Sequence, residues 1–487
     1  MSVSFDIETI ALDPSGTGNL HRQLYQQLRR MIESGVLRSG SPLPSTRQLA
    51  RKLAIGRNSV IYAYDQLALE GYIATRRGAP PVVVDLPMRN SKKRTWSRTA
   101  ASRLSERGRV LTAQRYHHGE PGHMAFHPGM PDPDNFPFNT WSKLLARRAK
   151  SARRDLFGAY YVQGYPPLRE AIARYLTVSR GVTCSPDQIV ITNGAQSAFD
   201  ILARLLLDPG DTVWMEEPGY YGASAAFLSA DARLAPLRVT DDGWNLEPQE
   251  TPPRVIFVTP SCHHPLGITM PMEQRLNLIR LAEAWNAWII EDDYDSEYRF
   301  LGHPIPALQG FDAANRVIYV GTFAKMLFSA MRLGFMVVPP QLGKGIVAAL
   351  SATGQFAPLL TQAALADFMN EGHLTRHLRR MKRLYAARRQ DFLDICDRHL
   401  SAWLQLRPME AGIQLVAYLR PGLEDRVVAA AAQKQGINVS PLSLQFQHPS
   451  TQQGLVLGFA GADAKATEKC ARKLRDILLS LAPKPNS

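Results

Sequence analysis

Six short runs constrain the fold of this chain most: DQIVIT (187–192), TVWMEE (212–217), RVIFVT (254–259), AWIIED (287–292), RVIYVG (316–321) and GFMVVP (334–339). Helical patterns separate them. Strands that carry apolar residues on both faces must be covered on both, and covered strands joined through helices build a mainly parallel sheet. From about Val347 the chain turns helix-rich, with LTRHLRRMKRLYAARRQDFLDIC reading as one long helix. AGIQLVAYLR and GLVLGFAGA then read as strands of a smaller C-terminal lobe. The expected fold class is therefore α/β over residues 122–482, a mainly parallel sheet with helices on both faces plus a small lobe.

The first part of the chain follows another pattern. In LHRQLYQQLRRMIESG (20–35), Leu20, Leu24, Leu28, Met31 and Ile32 fall on one helical face. Ser45 reads as the N-cap of a helix through about Leu53, and the break AIG precedes a second helix from about Arg57 to Glu70. Helix, short break with glycine, helix is the spacing of a helix-turn-helix. YIATRRGAPPVVVD then reads as two short strands around a Gly/Pro turn, a wing that closes a module over residues 14–85. In such a module the second helix enters the DNA major groove with its first residues at the base edges. Here these are Arg57, Asn58 and Ser59, whose donors and acceptors suit base reading. Arg47, at the start of the preceding helix, can reach a phosphate; Arg76 and Arg77 on the wing can reach a minor groove or the backbone.

The formal net charge of +14 points to a polyanion once it is localised. Residues 86–118 carry nine Lys/Arg against one acid, and residues 1–85 carry ten against seven, which leaves about +3 for the remainder. Residues 86–121 lack apolar periodicity and read as a basic, mostly irregular linker, with a solvated spacer that has no partner as the alternative. No uncharged apolar run is long enough to span a membrane, and MSVSFDIETI lacks the basic and apolar regions of a secretory signal. Cys184, Cys262, Cys396 and Cys470 stand apart, without metal-ligand spacing. A cytoplasmic protein with reduced thiols and no metal is expected.

Chemistry gathers at the C-terminal ends of the expected strands. After DQIVIT, Gly194, Ala195 and Gln196 stand at a strand-to-helix turn whose backbone N–H groups suit a phosphate. AWIIED ends in Asp292, with Tyr294 two residues on. A carboxylate there can pair with a protonated pyridine nitrogen while the hydroxyl holds a ring oxygen; taken singly, the alternatives are a capping acid and a packed tyrosine. In GTFAKMLFSAMRLGFMV (321–337), Lys325 sits between apolar runs, three residues after Thr322 and seven before Arg332. The hydroxyl and guanidinium can converge on one phosphate while the amine, desolvated by Met326, Leu327 and Phe328, reaches an aldehyde.

In their fixed order, YPPLREAIARYL (165–176), TNGAQ, EEPGYYG (216–222), TPSCHHPLG, EDDY and GTFAK resemble the fold type I pyridoxal-phosphate enzymes of the class I aminotransferase kind. PSTRQLA, GRNSVIYAYDQLALEGYI and the basic wing resemble the winged helix of the GntR family of bacterial transcription regulators. With a linker between them, the chain is identified as a member of the MocR subfamily of GntR-type regulators. The resemblance implies pyridoxal 5'-phosphate as cofactor, Lys325 as its Schiff-base lysine, Asp292 at the pyridine nitrogen, Tyr294 near the ring oxygen and Tyr220 stacked on the ring. It also implies Ala195, Gln196, Thr322 and Arg332 on the phosphate, and a head-to-tail homodimer that meets paired DNA half-sites.

The sequence departs from the pattern at several points. The wing tip is GAPPVVV rather than a Gly-rich turn followed by Thr-Phe, and Ala324 and Ser329 replace the usual Ser and Pro around the lysine. His264 stands where aminotransferases often carry an Asn on the ring oxygen; it and His263 read either as pocket residues or as structural histidines. Val456 occupies the place of the Arg that clamps a substrate α-carboxylate in aminotransferases. The expected function is a regulator that senses an amine, an amino acid or the cofactor itself. A working aminotransferase carrying a DNA module is the alternative, and a fold without cofactor is a third reading.

Overall fold

The computed structural model describes residues 10–13, 19–76, 79–85, 104–113, 124–151, 156–158, 160–247, 251–302, 305–407 and 409–482. Contacts divide the chain into two compact units, Met1–Ser102 and Arg103–Ser487.

In the first unit, helices α1 (Leu20–Glu33), α2 (Thr46–Lys52) and α3 (Arg57–Leu69) precede a two-stranded ribbon of β1 (Ile73–Ala74) and β2 (Val82–Val83). The apolar stripe on α1 buries Leu24, Leu28 and Ile32 against Leu49, Val60, Ala63 and Leu67 of α2 and α3. Ser45 caps α2: its Oγ accepts from Gln48 N–H at 3.3 Å while the Gln48 side chain accepts from Ser45 N–H at 3.0 Å. That reciprocal pair satisfies donors which the first helical turn leaves open, and such caps contribute about 1 kcal/mol. Tyr64 ties α3 to the turn before α2 by donating to Pro44 O at 2.9 Å.

The second unit opens with α4 (Glu106–Ala113) and continues through α5 (Phe138–Ser151), α6 (Pro166–Arg180), β3 (Ile189–Thr192), α7 (Ala195–Leu206), β4 (Thr212–Glu217), α8 (Tyr221–Ser229), β5 (Arg233–Thr240), β6 (Gly243–Trp244) and β7 (Val255–Val258). It then runs through α9 (Met272–Ala284), β8 (Trp288–Asp293), β9 (Val317–Thr322), α10 (Phe323–Met326), β10 (Gly334–Val337), α11 (Pro340–Thr353), α12 (Leu359–Asn370) and α13 (His373–Leu400). The small lobe comprises β11 (Leu404–Leu406), β12 (Gln414–Leu419), α14 (Asp425–Lys434), β13 (Ser440–Pro441), β14 (Gly454–Gly458) and α15 (Ala464–Leu481).

The large sheet has the order β3-β10-β9-β8-β7-β4-β5-β6. Strands β5, β4, β7, β8 and β9 pair in parallel, whereas β10 is antiparallel to both β3 and β9. Alternate residues go to opposite layers: Met215, Phe257 and Ile290 pack under Phe199 and Phe227 of α7 and α8, while Trp214, Ile256 and Ile289 pack under Leu278 and Ile279 of α9. That double burial makes the six runs apolar throughout. Strands β11, β12, β14 and β13 form an antiparallel sheet in the small lobe, backed by α13 and α15.

Apolar periodicity gives no sign of α4, which lies inside the stretch read as irregular. Its start is set by polar groups instead: Ser105 Oγ accepts from Gly108 N–H at 3.0 Å, and Glu106 stands in the positively polarised first turn. No helix among the described residues is long and apolar enough to cross a membrane.

Candidate functional site

The site is assembled where β3, β8 and β9 end. Strand β8 carries the run Glu291-Asp292-Asp293, and the strand's two-residue alternation sends neighbours to opposite faces. Glu291 accepts from the backbone N–H groups of Leu308 and Gln309 at 2.7 and 2.9 Å. Asp293 accepts from Arg180 Nε and from the Tyr319 hydroxyl, both at 2.6 Å. Asp292, on the other face, is 5% exposed, and its Oδ1 is buried with no hydrogen-bond partner. Burial pushes its carboxyl well above the usual range, Asp293 and Glu216 push the same way, and Lys325 pulls it back.

Lys325 lies in α10, a single turn capped by Thr322, whose Oγ1 accepts from Ala324 N–H at 3.2 Å. Its Nζ donates to Gly129 O at 2.5 Å. Burial lowers the amine below the ordinary lysine value, while Asp295 and then Asp292 raise it. Gly129 has φ of +61°, and a Cβ there would lie 2.4 Å from Lys325 Nζ. Glycine is thus required on two counts, backbone conformation and space for the amine.

Between β3 and α7, Gly194 has φ of +86°, and a Cβ added to it would lie 3.8 Å from Arg332 Cζ. The guanidinium therefore faces the N-terminus of α7, where the N–H groups of Ala195 and Gln196 begin the helix. Arg332 is exposed and itself left-handed, with φ of 50°. Gln196 donates through Nε2 to Gly222 O at 2.8 Å, and its buried Oε1 has no partner. A helix N-terminus, a guanidinium and the Thr322 hydroxyl on adjacent strand ends form an anion cradle.

Three rings line the space beside the lysine. His264 stands edge-on to Tyr220, with centroids 5.3 Å apart, and to Tyr294, 5.8 Å apart. The Tyr294 hydroxyl lies 3.8 Å from Cys262 Sγ. His264 Nε2 faces Gln445 Oε1 at 3.2 Å, and Nδ1 faces Gln414 Nε2 at 3.1 Å. An acceptor on one nitrogen and a donor on the other select the neutral Nε2–H tautomer. Burial agrees, lowering this imidazole to about 4. His263 is wholly buried, edge-on to Trp244 at 5.3 Å and 3.7 Å from Glu216 Oε2. Of the two histidines, His264 alone faces the site's other rings; His263 is a packing residue.

Lys325, Asp292, Tyr294, Tyr220, Ala195, Gln196, Thr322, Arg332 and His264 are thus brought to one region. Sequence reasoning missed Gly129, Asp295, Gln414 and Gln445. Asp295 follows Asp292 by three residues, accepts from Ile413 N–H at 2.7 Å, and is the first-ranked charge acting on Lys325. The acidic run EDDYD could have flagged it. Nothing in the sequence marks the two glutamines, which come from β12 and from the turn after β13.

Val456 occupies β14 opposite Val416 and Ser440, 1% exposed, in an apolar cluster with Leu266, Met270, Val416 and Leu442.

In the first unit, Arg57 and Asn58 are exposed at the start of α3, with Ser59 half-buried behind them. Arg57 Nε donates to Thr46 Oγ1 at 3.4 Å, so the two helix starts adjoin. Arg47 on α2 and Arg76 after β1 are exposed; Arg77 lies outside the described residues.

Comparison with known proteins follows this division. Residues 20–83 match the family of bacterial regulatory proteins of the gntR type, and residues 130–473 match aminotransferase class I and II. A probable rhizopine catabolism regulatory protein MocR of Rhizobium meliloti is 51% identical over 97% of this chain and 96% of its own length. The chain belongs to the GntR-type transcriptional regulators of the MocR kind. The pyridoxine biosynthesis transcriptional regulator PdxR of Corynebacterium glutamicum is 32% identical over 93% of this chain and 95% of its own. An archaeal alanine:glyoxylate aminotransferase structure aligns with a TM-score of 0.70 over 77% of this chain and 98% of its own, at 24% identity. Regulators of the GntR family bind DNA, and the class I aminotransferase family depends on pyridoxal phosphate.

Proposed function

We propose that this GntR-type regulator holds pyridoxal 5'-phosphate through Lys325 and changes its operator affinity when a primary amine, an amino acid or the cofactor itself occupies the site. The observation that carries the reading is the buried, unpartnered Asp292 Oδ1 in the same pocket as the Lys325 amine. An isolated buried carboxylate is costly, and a protonated pyridine nitrogen offsets that cost. The residues fit the group: Asp292 would hold the ring nitrogen, Tyr294 and His264 the ring oxygen, and Tyr220 the ring face. Ala195, Gln196, Thr322 and Arg332 would hold the phosphate. Bound there, pyridoxal phosphate supplies an aldehyde that a lysine or a free amine can engage. Lys325, its proton loosened by burial, is suited to be that lysine.

A route outward is supported by α4. This helix packs on α8, and Arg107 reaches Asp231, just past the end of α8, at 3.2 Å. Tyr220 caps the other end of α8. The segment leading from the DNA module therefore rests on a helix that begins at the ring-stacking residue. Ligand-dependent movement of Tyr220 would bias that helix and, in a head-to-tail dimer, the spacing of two winged helices on paired half-sites. Arg57, Asn58 and Ser59 would read bases there, with Arg47, Arg76 and Arg77 on the backbone or minor groove.

The test is footprinting of the operator near the protein's own gene, with and without pyridoxal phosphate, alongside the visible spectrum of wild type and Lys325→Ala. Wild type is expected to show a lysine-linked band that Lys325→Ala lacks, and operator affinity is expected to change with the cofactor only in wild type. Equal affinity under every condition would refute the switch.

A further inference from the structure

We propose that the amine read at this site is carried on a neutral, hydroxylated body rather than on an amino acid, with Gln414 and Gln445 as the groups that recognise it. This rests on the cofactor reading above. Three observations carry it. The strand position from which a carboxylate clamp would reach is Val456, packed among Leu266, Val416 and Leu442 in an apolar cluster. Arginines that approach neighbouring segments are held by protein oxygens: Arg407 by Leu266 O and Asp241, Arg299 by Ser261 O and Glu410, Arg388 by Asp132 and Ala460 O. Recruiting one to a ligand carboxylate would break an ion pair already made.

Polar amides stand in their place. Gln414 is 6% exposed and Gln445 4%, and both are locked on the neutral His264. Gln414 also abuts the lysine: a Cβ on Gly129 would lie 3.2 Å from Gln414 Oε1 and 2.4 Å from Lys325 Nζ. Each amide offers a donor and an acceptor on adjacent atoms, and a hydroxyl, itself donor and acceptor, satisfies either. An alkyl body would leave these buried amides facing apolar surface, which costs about 1–3 kcal/mol for each group left unpaired. A carboxylate would meet amide oxygens without a cation to offset them. In the covalent step the incoming nitrogen takes the carbon that Lys325 held, and the lysine departs as the free amine. One C–N linkage replaces another, and no oxidant is needed.

The test is calorimetric titration of the full-length, cofactor-loaded protein with four probes: glucosamine, 2-amino-1,3-propanediol, 4-aminobutyrate and n-hexylamine, with L-alanine as a fifth. The amino polyols are expected to bind at least about ten-fold more tightly than the two amino acids and hexylamine. Gln445→Leu should reduce that margin, and Gln414→Arg should invert it toward 4-aminobutyrate. The wild-type ranking decides the matter even where a variant fails to fold. Amino acids or hexylamine binding as well as the polyols would overturn the inference while leaving the cofactor reading intact. Failure of wild type to take up pyridoxal phosphate would overturn both.

Discussion

The two ends of the site are built from different material. At the ring end, β8, β9 and α10 present a carboxylate and an amine, with Asp292 Oδ1 buried and unmatched. At the far end, β12, β14 and the turn after β13 present two amides, a neutral imidazole and a valine. Buried charge without a partner is the costlier condition, so the ring end stores a demand that a bound group can answer. The far end makes no such demand for charge. Holding a cofactor and gripping a carboxylate are therefore separable tasks, and only the first is provided for within the described residues. A regulator needs occupancy to change, not substrate to turn over.

The sharpest way to break this contrast is to place the missing cation. Val456→Arg would put a guanidinium where an aminotransferase has one, but here the side chain enters a cluster holding Leu266, Met270, Leu442 and Trp244. With no buried acid to meet it, the expected loss is about 3–5 kcal/mol of stability, read as an earlier urea midpoint by tryptophan fluorescence. A variant as stable as wild type that binds 4-aminobutyrate would show that the far end keeps room for a carboxylate.

The contrast also explains what could be read in advance. The ring end lies in linear motifs because each strand of a parallel sheet delivers its functional residue at its C-terminal end, a few positions from an apolar run. Lys325, Asp292 and the Gly194 turn were legible for that reason, as were Ser45 and the two helices it introduces. The far end is set by long-range pairing. Gln414 lies 150 residues from His264, and Gln445 lies 181 from it. No local pattern connects them. Strand β10 was visible as a strand, but its antiparallel direction was not, because double burial looks the same in either orientation.

A smaller effect is expected from Asp292→Asn. The amide keeps the shape and removes the charge, so cofactor affinity should fall by roughly 10–100-fold, the range for a hydrogen bond to a charged group. Because Asp292 Oδ1 lacks a partner in the fold, the same substitution should leave the stability of the cofactor-free protein unchanged or raised. Loss of stability together with affinity would mean that the carboxylate serves the fold and not a ligand, and the ring end would then resemble the far end.

The smallest effect concerns Asp295, and its sign can be worked out. Burial lowers the Lys325 amine from its ordinary value, and Asp295 and then Asp292 hold it up by favouring the charged form. Removing the stronger of these charges in Asp295→Asn leaves burial less opposed, so the amine sheds its proton at lower pH. Uptake of pyridoxal phosphate needs that uncharged amine, and the pH of half-maximal uptake should therefore move down in Asp295→Asn relative to wild type, followed by the growth of the visible band. Asp295 is itself pushed upward by burial and pulled back by Lys325. An unmoved midpoint would show that Asp295 is protonated beside the amine, and the ring end would then carry one buried charge fewer than its sequence suggests.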